Sequence, residues 1–495
     1  MKNKLLYILL VSFLYIGCDM GDFGNINDDP NKPTKYDTRF LFATSASRVG
    51  DFFRDDWSCR DQMYPHYMSE WRTVQQGEMA VLDYSLQTKY GRIIKNLDQI
   101  IQLNTDEATK SLNSVTLLGS NGNQIGMCKI IRAYFYLHYT DLLGGIPYSE
   151  ANKGKAQYFP KYDSQESIYK ALYKELTDAV ASFDTGMIDG DYDVFYGGNV
   201  AQWKKLGNSI RLIMAMRLSK VDPTLGKTWF EETIATGAGY ISTNADNFLH
   251  KFKKEYDADV SENNNSNPIW ENVVKSGRDD YKPTTMIVDY MNSNMDPRLP
   301  AYFVKATATD TYVGVPFAIA KEDIASYPAG TLSAFNDKFI AQDAIIPMIT
   351  AAQLSFTYAE AIKVYGVTGD VETKYKEGIR LSMEQHGVEA GFVAYYAKAG
   401  VQYGTTAGDI DSEIKQIAQQ KWLSTYMQDG FEAWTEIRRL GWPNIQVGPA
   451  SATLSEMPRR FRYHSDDYSS NREEYDKIVA SQGADEVSTK LWWDK

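Results

Sequence analysis

The chain has 495 residues, 43% hydrophobic and 23% charged, a balance that fits a folded globular protein and excludes disorder as its main state. Lys and Arg total 52 against 64 Asp and Glu, giving a formal charge of −12 and no basic footprint for nucleic acid. Aromatic residues are unusually frequent at 13%, with 34 Tyr, 21 Phe and 10 Trp. Because Tyr is amphipathic, this excess points to a binding surface as well as to a core.

At the N-terminus, Lys2 and Lys4 precede an apolar run from Leu5 to Ile16. The run is too short to span a bilayer, which takes roughly 20 residues, and suits the apolar region of a signal peptide. Gly17-Cys18 ends it in the manner of a bacterial lipobox, although Tyr15 and Ile16 depart from the usual Leu and small residue. Residues 1–17 therefore read as a lipoprotein signal peptide, with Cys18 as the lipidated, palmitate-bearing residue and two or three acyl chains giving a stable anchor. Residues 18–36, rich in Gly, Asn, Asp and Pro, read as a tether, and residues 37–495 as the folded body. Cys59 and Cys128 lie in an exported, oxidising setting where they are able to pair.

Helical periodicity dominates the body. Ile125, Cys128, Ile131, Phe135 and Leu142 form one stripe, closed by Gly144-Gly145. Residues 164–185 repeat the pattern, with Asp163 and Glu166 spaced as a capping-box variant. A third helix covers 200–220 and stops at Asp222-Pro223. Later, Leu354 to Tyr365 and Tyr375 to Met383 form a tight hairpin of helices. A long helix then covers about 411–428, with a further turn running to Arg439. The fold class is mainly α, with tetratricopeptide-like helix pairs although no clean sequence repeat, and long irregular loops. The stretch 240–350, holding Asn263-Asn264-Asn265 and punctuated by prolines, is the longest of these; such a loop is functional or mere decoration on the frame.

Catalytic signatures are absent. The five histidines form no HExxH, and no GxSxG or phosphate-binding loop occurs, so the chain reads as a binding protein, with no catalytic residue, metal or cofactor assigned. Asp189, Asp191 and Asp193 mimic calcium ligands, but Val194 and Val200 occupy the positions where an EF-hand needs Gly and an acid, so a turn is favoured. Glu432, Glu436, Arg438 and Arg439, at helical spacing, read as an ion-pair cluster, and Pro458-Arg459-Arg460-Phe461-Arg462 as salt-bridge partners. Trp203, Trp422 and Trp434 lie on periodic faces and belong to the core.

Sugar binding asks for flat aromatic faces flanked by planar hydrogen-bonding groups. Two stretches fit. Residues 57–72 hold Trp57, Tyr64, His66, Tyr67, Trp71 and Arg72, with Asp61, Gln62 and Glu70 between them. Residues 267–282 hold Asn267, Trp270, Glu271, Asn272, Arg278, Asp280 and Tyr281. From these, Tyr64, Tyr67, Trp71, Arg72, Trp270, Asn272 and Tyr281 are the candidate ligand-binding residues, and core packing is the competing role for each tryptophan.

Across this frame run Arg132 to Leu137, Asp141-Leu142-Leu143-Gly144-Gly145-Ile146-Pro147-Tyr148, Phe195 to Asn199, and Asn208 to Leu212. Further on come Asp296-Pro297-Arg298-Leu299, Tyr358 to Ala361, Gln420 to Leu423, Glu432 to Arg439, Pro458-Arg459-Arg460 and Leu491-Trp492-Trp493-Asp494. In this order behind a lipobox, the segments resemble the SusD/RagB nutrient-binding outer-membrane lipoproteins of Bacteroidetes, in particular the SusD-like branch ending in Trp-Trp. Tyr463-His464 departs from the Tyr-Pro usual there. The resemblance implies a single large SusD-like α-domain, lipid-anchored on the outer face of the outer membrane. It also implies non-catalytic binding of oligosaccharide, delivered to a SusC-like TonB-dependent transporter as partner. Peptide binding on the same scaffold is the alternative, and a surface glycoside hydrolase the least favoured one.

Overall fold

In the computed structural model the described residues are 37–52, 59–72, 83–86, 90–254, 266–404, 410–451 and 454–495. Residues 1–36, where a signal peptide, the lipidated Cys18 and a tether are expected, and Trp57 lie outside them. Helices of nine residues or more are α1 (Thr38–Ala46), α2 (Lys95–Thr105), α3 (Asn121–Leu143), α4 (Gln165–Ser182), α5 (Val200–Arg217) and α6 (Pro223–Ala235). After the irregular stretch come α7 (Thr285–Ser293), α8 (Ala351–Tyr365), α9 (Val371–Gln385), α10 (Ile410–Ser424), α11 (Gly430–Leu440) and α12 (Arg472–Gln482). The fold is mainly α and a single large domain, in which α3 packs on α4, α5 on α6, and α8 on α9.

Local chemistry sets these limits. The side chains of Ser120, Asn199, Asp222 and Asp370 accept backbone N–H groups at the starts of α3, α5, α6 and α9, and Pro223 stands in the first turn of α6. The cap of α4 is Ser164, one residue later than the spacing of Asp163 and Glu166 predicts. Asp163 instead accepts the backbone N–H groups of Tyr148 at 3.2 Å and Ser149 at 2.7 Å. The long helix expected over 411–428 ends at Ser424, because Met427 takes a left-handed φ of 54° and Asp429 caps a separate helix, α11. A methyl group at Gly430 would overlap the Asp61 carbonyl, so glycine there lets α11 close on the short helix Arg60–Met63.

Strands occur as isolated pairs: β1 (Met68–Glu70) with β6 (Tyr281–Pro283), β2 (Asp83–Tyr84) with β10 (Arg462–Tyr463), and β3 (Ile146–Pro147) with β4 (Tyr162–Asp163). β5 (Phe248–Lys251) pairs with β9 (Ile345–Ile349), and β7 (Phe303–Val304) with β8 (Ala334–Phe335). Three pairings fall in the stretch expected to be irregular: β5–β9 and β7–β8 fasten it to itself, and β6 ties it to β1. No helix among the described residues is long and apolar enough to cross a membrane.

Trp203, Trp422 and Trp434 are core residues, 0%, 3% and 0% exposed. Asp193 acts as a turn former: its carboxylate accepts backbone N–H groups of Phe195, Tyr196 and Gly198 and the Trp203 indole N–H. Between α3, α5, α8, α10 and α11 lies a buried ion cluster. Arg217 meets Asp141, Glu432 and Glu436; Lys421 meets Glu436; and Arg439 meets Glu360 and Glu436. Arg438 lies 3.8 Å from the Trp434 ring centroid and donates to the Asp141 and Arg459 carbonyls. Arg459 pairs with Asp494 and Arg460 with Asp485.

Cys59 and Cys128 are both buried free thiols. Burial pushes both thiols up, Cys59 to about 12, so thiolate is scarce at neutral pH. Neither is expected to be alkylated by iodoacetamide in the native protein, and both to be alkylated after denaturation; peptide mass mapping checks this, and native labelling at either would refute it.

Candidate functional site

The two aromatic stretches singled out in the sequence meet in the fold. β1 pairs antiparallel with β6, bringing Glu70 opposite Tyr281, Ser69 opposite Lys282 and Met68 opposite Pro283. The Trp71 backbone N–H continues the ladder to the Asp280 carbonyl at 2.8 Å, and its indole N–H donates to the Asp279 carbonyl, also at 2.8 Å.

Burial divides the candidates. Tyr64 is 2% exposed, packed on Trp434 at a centroid distance of 4.6 Å and on Phe461 at 5.2 Å. Tyr67 is fully buried and stacks on Trp422, with its hydroxyl donating to the Trp422 carbonyl at 2.6 Å. Both were expected to contact ligand; both are core, because the chain from Arg60 to Glu70 is buried on every face. His66 stacks on Phe317 at 3.8 Å, and burial lowers its pKa to about 3, so it is a neutral packing group. Asn272 and Tyr281 are also buried, Asn272 with its amide 3.7 Å from the Cys59 sulfur. Trp71 is 3% exposed and packs on Val315, Ile319 and Leu332.

What faces solvent is a strip of planar charged groups along the β1–β6 edge. The Arg72 guanidinium lies 4.7 Å from the Trp71 centroid and pairs with Asp279 at 3.4 Å. Arg278 donates to Asp280 at 2.6 Å, reaches Glu70 at 3.3 Å and lies 5.8 Å from the Tyr281 centroid. Trp270 is half-buried, with the Lys275 ammonium 5.9 Å from its ring centroid. The guanidinium and carboxylate groups of this edge suit vicinal hydroxyls, and the partly open Trp270 indole suits one pyranose face.

A second concave region escaped the sequence reading. Around the β3–β4 connection lie two adjoining hollows. One, of about 310 Å³, is lined chiefly by Leu86, Tyr90, Pro147, Tyr158, Tyr162 and Asp467. The other, of about 620 Å³, includes Asp98, Arg132, Tyr136, Tyr148 and Asn152. In the larger one Arg132 is already committed, donating to Glu175 at 2.6 Å and to Asp98 at 2.5 Å. The signal that could have marked this region is the doublet Tyr158-Phe159, 69% and 64% exposed in a polar loop. Among the described residues no group of His, Cys, Asp and Glu is arranged to hold a metal ion.

Residues 30–464 match the SusD-like family described as starch-binding and associating with the outer membrane, and the chain belongs to that family. Solved structures agree in fold. A SusD homolog from Bacteroides uniformis is 24% identical with a TM-score of 0.75, covering 92% of this chain and 98% of its own. A chitin-binding SusD homolog from Flavobacterium johnsoniae is 22% identical with a TM-score of 0.73, over 92% and 98%. A chitin-binding protein is 21% identical with a TM-score of 0.77, over 92% and 99%. Among curated proteins none matches the chain.

Proposed function

We propose that this protein is a cell-surface lipoprotein, anchored through Cys18, that binds oligosaccharide without cleaving it and passes it to a SusC-like TonB-dependent transporter. The observation that carries the reading is the match of residues 30–464 to a starch-binding, outer-membrane-associated family. The chitin-binding neighbours of the same fold support a glycan in general terms. The ligand would lie along the β1–β6 edge, stacking on Trp270 and hydrogen-bonding Arg72 and Arg278, while Trp71, Asn272 and Tyr281 hold these groups from behind.

Calorimetry of the full chain in detergent, against chito-, malto- and other oligosaccharides and against peptides, tests the proposal, with reducing ends assayed in the same samples. Binding to one glycan class without new reducing ends is the expected result. Trp270→Ala and Arg72→Ala are each expected to weaken it about five- to tenfold, the worth of one stacking or charged hydrogen-bonding contact. Release of reducing ends would refute non-catalytic binding. Binding of peptides alone would transfer the reading to peptide capture, and glycan binding unchanged in both variants would move the site elsewhere.

A further inference from the structure

The 310 Å³ hollow beside the β3–β4 connection is walled by Tyr90, Tyr158, Tyr162, Leu86, Pro147 and Pro160, and Asp467 also lines it. Asp467 is 7% exposed. Among the described residues no Lys or Arg pairs with it; the backbone N–H groups of Leu86, at 3.5 Å, and of His464 are its hydrogen-bond donors, and the His464 ring is its nearest source of positive charge. The Tyr90 hydroxyl is spent on the Pro147 carbonyl at 2.6 Å, so that residue offers the hollow its ring rather than a donor. A carboxylate taken out of water without a cation is costly, and its environment gains most from a ligand that supplies one. Aromatic rings attract a cation through their faces, and an ammonium is the group that answers both features.

We infer that this hollow is a second ligand site, separate from the β1–β6 edge, that takes a small organic ammonium: a protonated amine carried on a sugar or an alkyl chain. Asp467 pairs with the charge, and Tyr90, Tyr158 and Tyr162 pack around the carbon skeleton. The volume suits a group the size of one monosaccharide. Burial raises the Asp467 carboxyl to about 6, with His464 the nearby base and Asp466 the nearby acid, so the group is still mainly ionised at neutral pH. The inference does not depend on the glycan reading, because recognition here is by charge.

The test is ligand-observed NMR and calorimetry on the full chain in detergent at neutral pH. Glucosamine and n-butylammonium serve as charged probes, and N-acetylglucosamine and glucose as neutral sugars of similar shape. At least one amine is expected to bind about tenfold or more tightly than both neutral sugars, roughly the worth of one ion pair with ring contacts. Asp467→Asn is expected to remove that preference. Tyr158→Ala, at a ring 69% exposed and so removable without harm to the fold, is expected to weaken the amine several-fold. Equal binding of charged and neutral probes would overturn the inference, as would amine affinity unchanged in Asp467→Asn or in Tyr158→Ala. Failure of both amines to bind would overturn it too. Should Asp467→Asn not fold, Tyr158→Ala and the comparison of probes decide alone.

Discussion

Replacing Arg217 with methionine is expected to destabilise the folded protein by about 3–5 kcal/mol, the cost of breaking a buried ion network from one side. Arg217 is fully buried on α5 and answers three carboxylates: Asp141 of α3 at 3.4 Å, and Glu432 and Glu436 of α11. Methionine fills much of the space but leaves those charges facing one another. Lys421 and Arg439 still meet Glu436, but Glu432 and Asp141 lose their nearest guanidinium. The effect reaches the chain terminus, because Asp141 also accepts the Trp493 indole N–H at 2.8 Å. Denaturant unfolding followed by tryptophan fluorescence measures the change. Adding Glu432→Gln to Arg217→Met is expected to recover part of the loss, since the carboxylate whose only ion pair among the described residues was with Arg217 is then neutral. A loss below about 1 kcal/mol for the single variant, the range of exposed pairs, would mean that the cluster is solvated in solution.

That cluster was readable as an ion-pair group because Glu432, Glu436 and Arg439 recur at helical spacing, and the tryptophan faces were readable for the same reason. Tyr64 and Tyr67 were not. They follow the four-residue helix Arg60–Met63, too short to display a period, and lead into β1, all three of whose residues are buried. Alternation marks a half-buried strand and is silent about one covered on both faces. The two aromatic stretches were visible singly, but their union is made by the β1–β6 ladder, a long-range pairing that local pattern does not encode. Asp467 was hidden differently. In Ser465-Asp466-Asp467-Tyr468 it looks like a solvated acid, and only the Leu86 and Tyr162 segments folding over it make it a buried one.

Asp429→Asn is expected to cost about 3–5 kcal/mol as well, and only in a defined pH window, because the charge it removes belongs to a coupled buried pair. The Asp429 carboxylate caps α11 through the Glu432 N–H at 3.0 Å, accepts the Tyr134 hydroxyl at 2.6 Å and meets His138 Nε2 at 2.5 Å. The other ring nitrogen of His138, Nδ1, lies 3.0 Å from the Tyr134 carbonyl. An imidazole with an acceptor at each nitrogen donates from both, which is the charged form. Burial by itself lowers the His138 pKa, but the Asp429 carboxylate beside it wins and holds it above 6.5. Burial likewise raises Asp429, and the His138 charge with the Tyr134 and backbone donors holds it below 3.8.

The signs then fix the profile. His138, raised on folding, contributes fully below its ordinary 6.5 and loses its contribution as pH climbs through the higher folded value. Asp429, lowered on folding, contributes fully above its ordinary 3.8 and loses its contribution as pH falls through the lower folded value. The stability gap between the wild type and Asp429→Asn is therefore widest between 3.8 and 6.5 and narrows on either side. Asparagine keeps an oxygen to cap α11, so helix-end loss contributes little to the difference. Denaturant unfolding of both proteins across the pH range reads the gap directly. A gap that is flat through neutral and alkaline pH would mean that His138 stays neutral in the fold and that Asp429 acts only as a cap and hydrogen-bond acceptor.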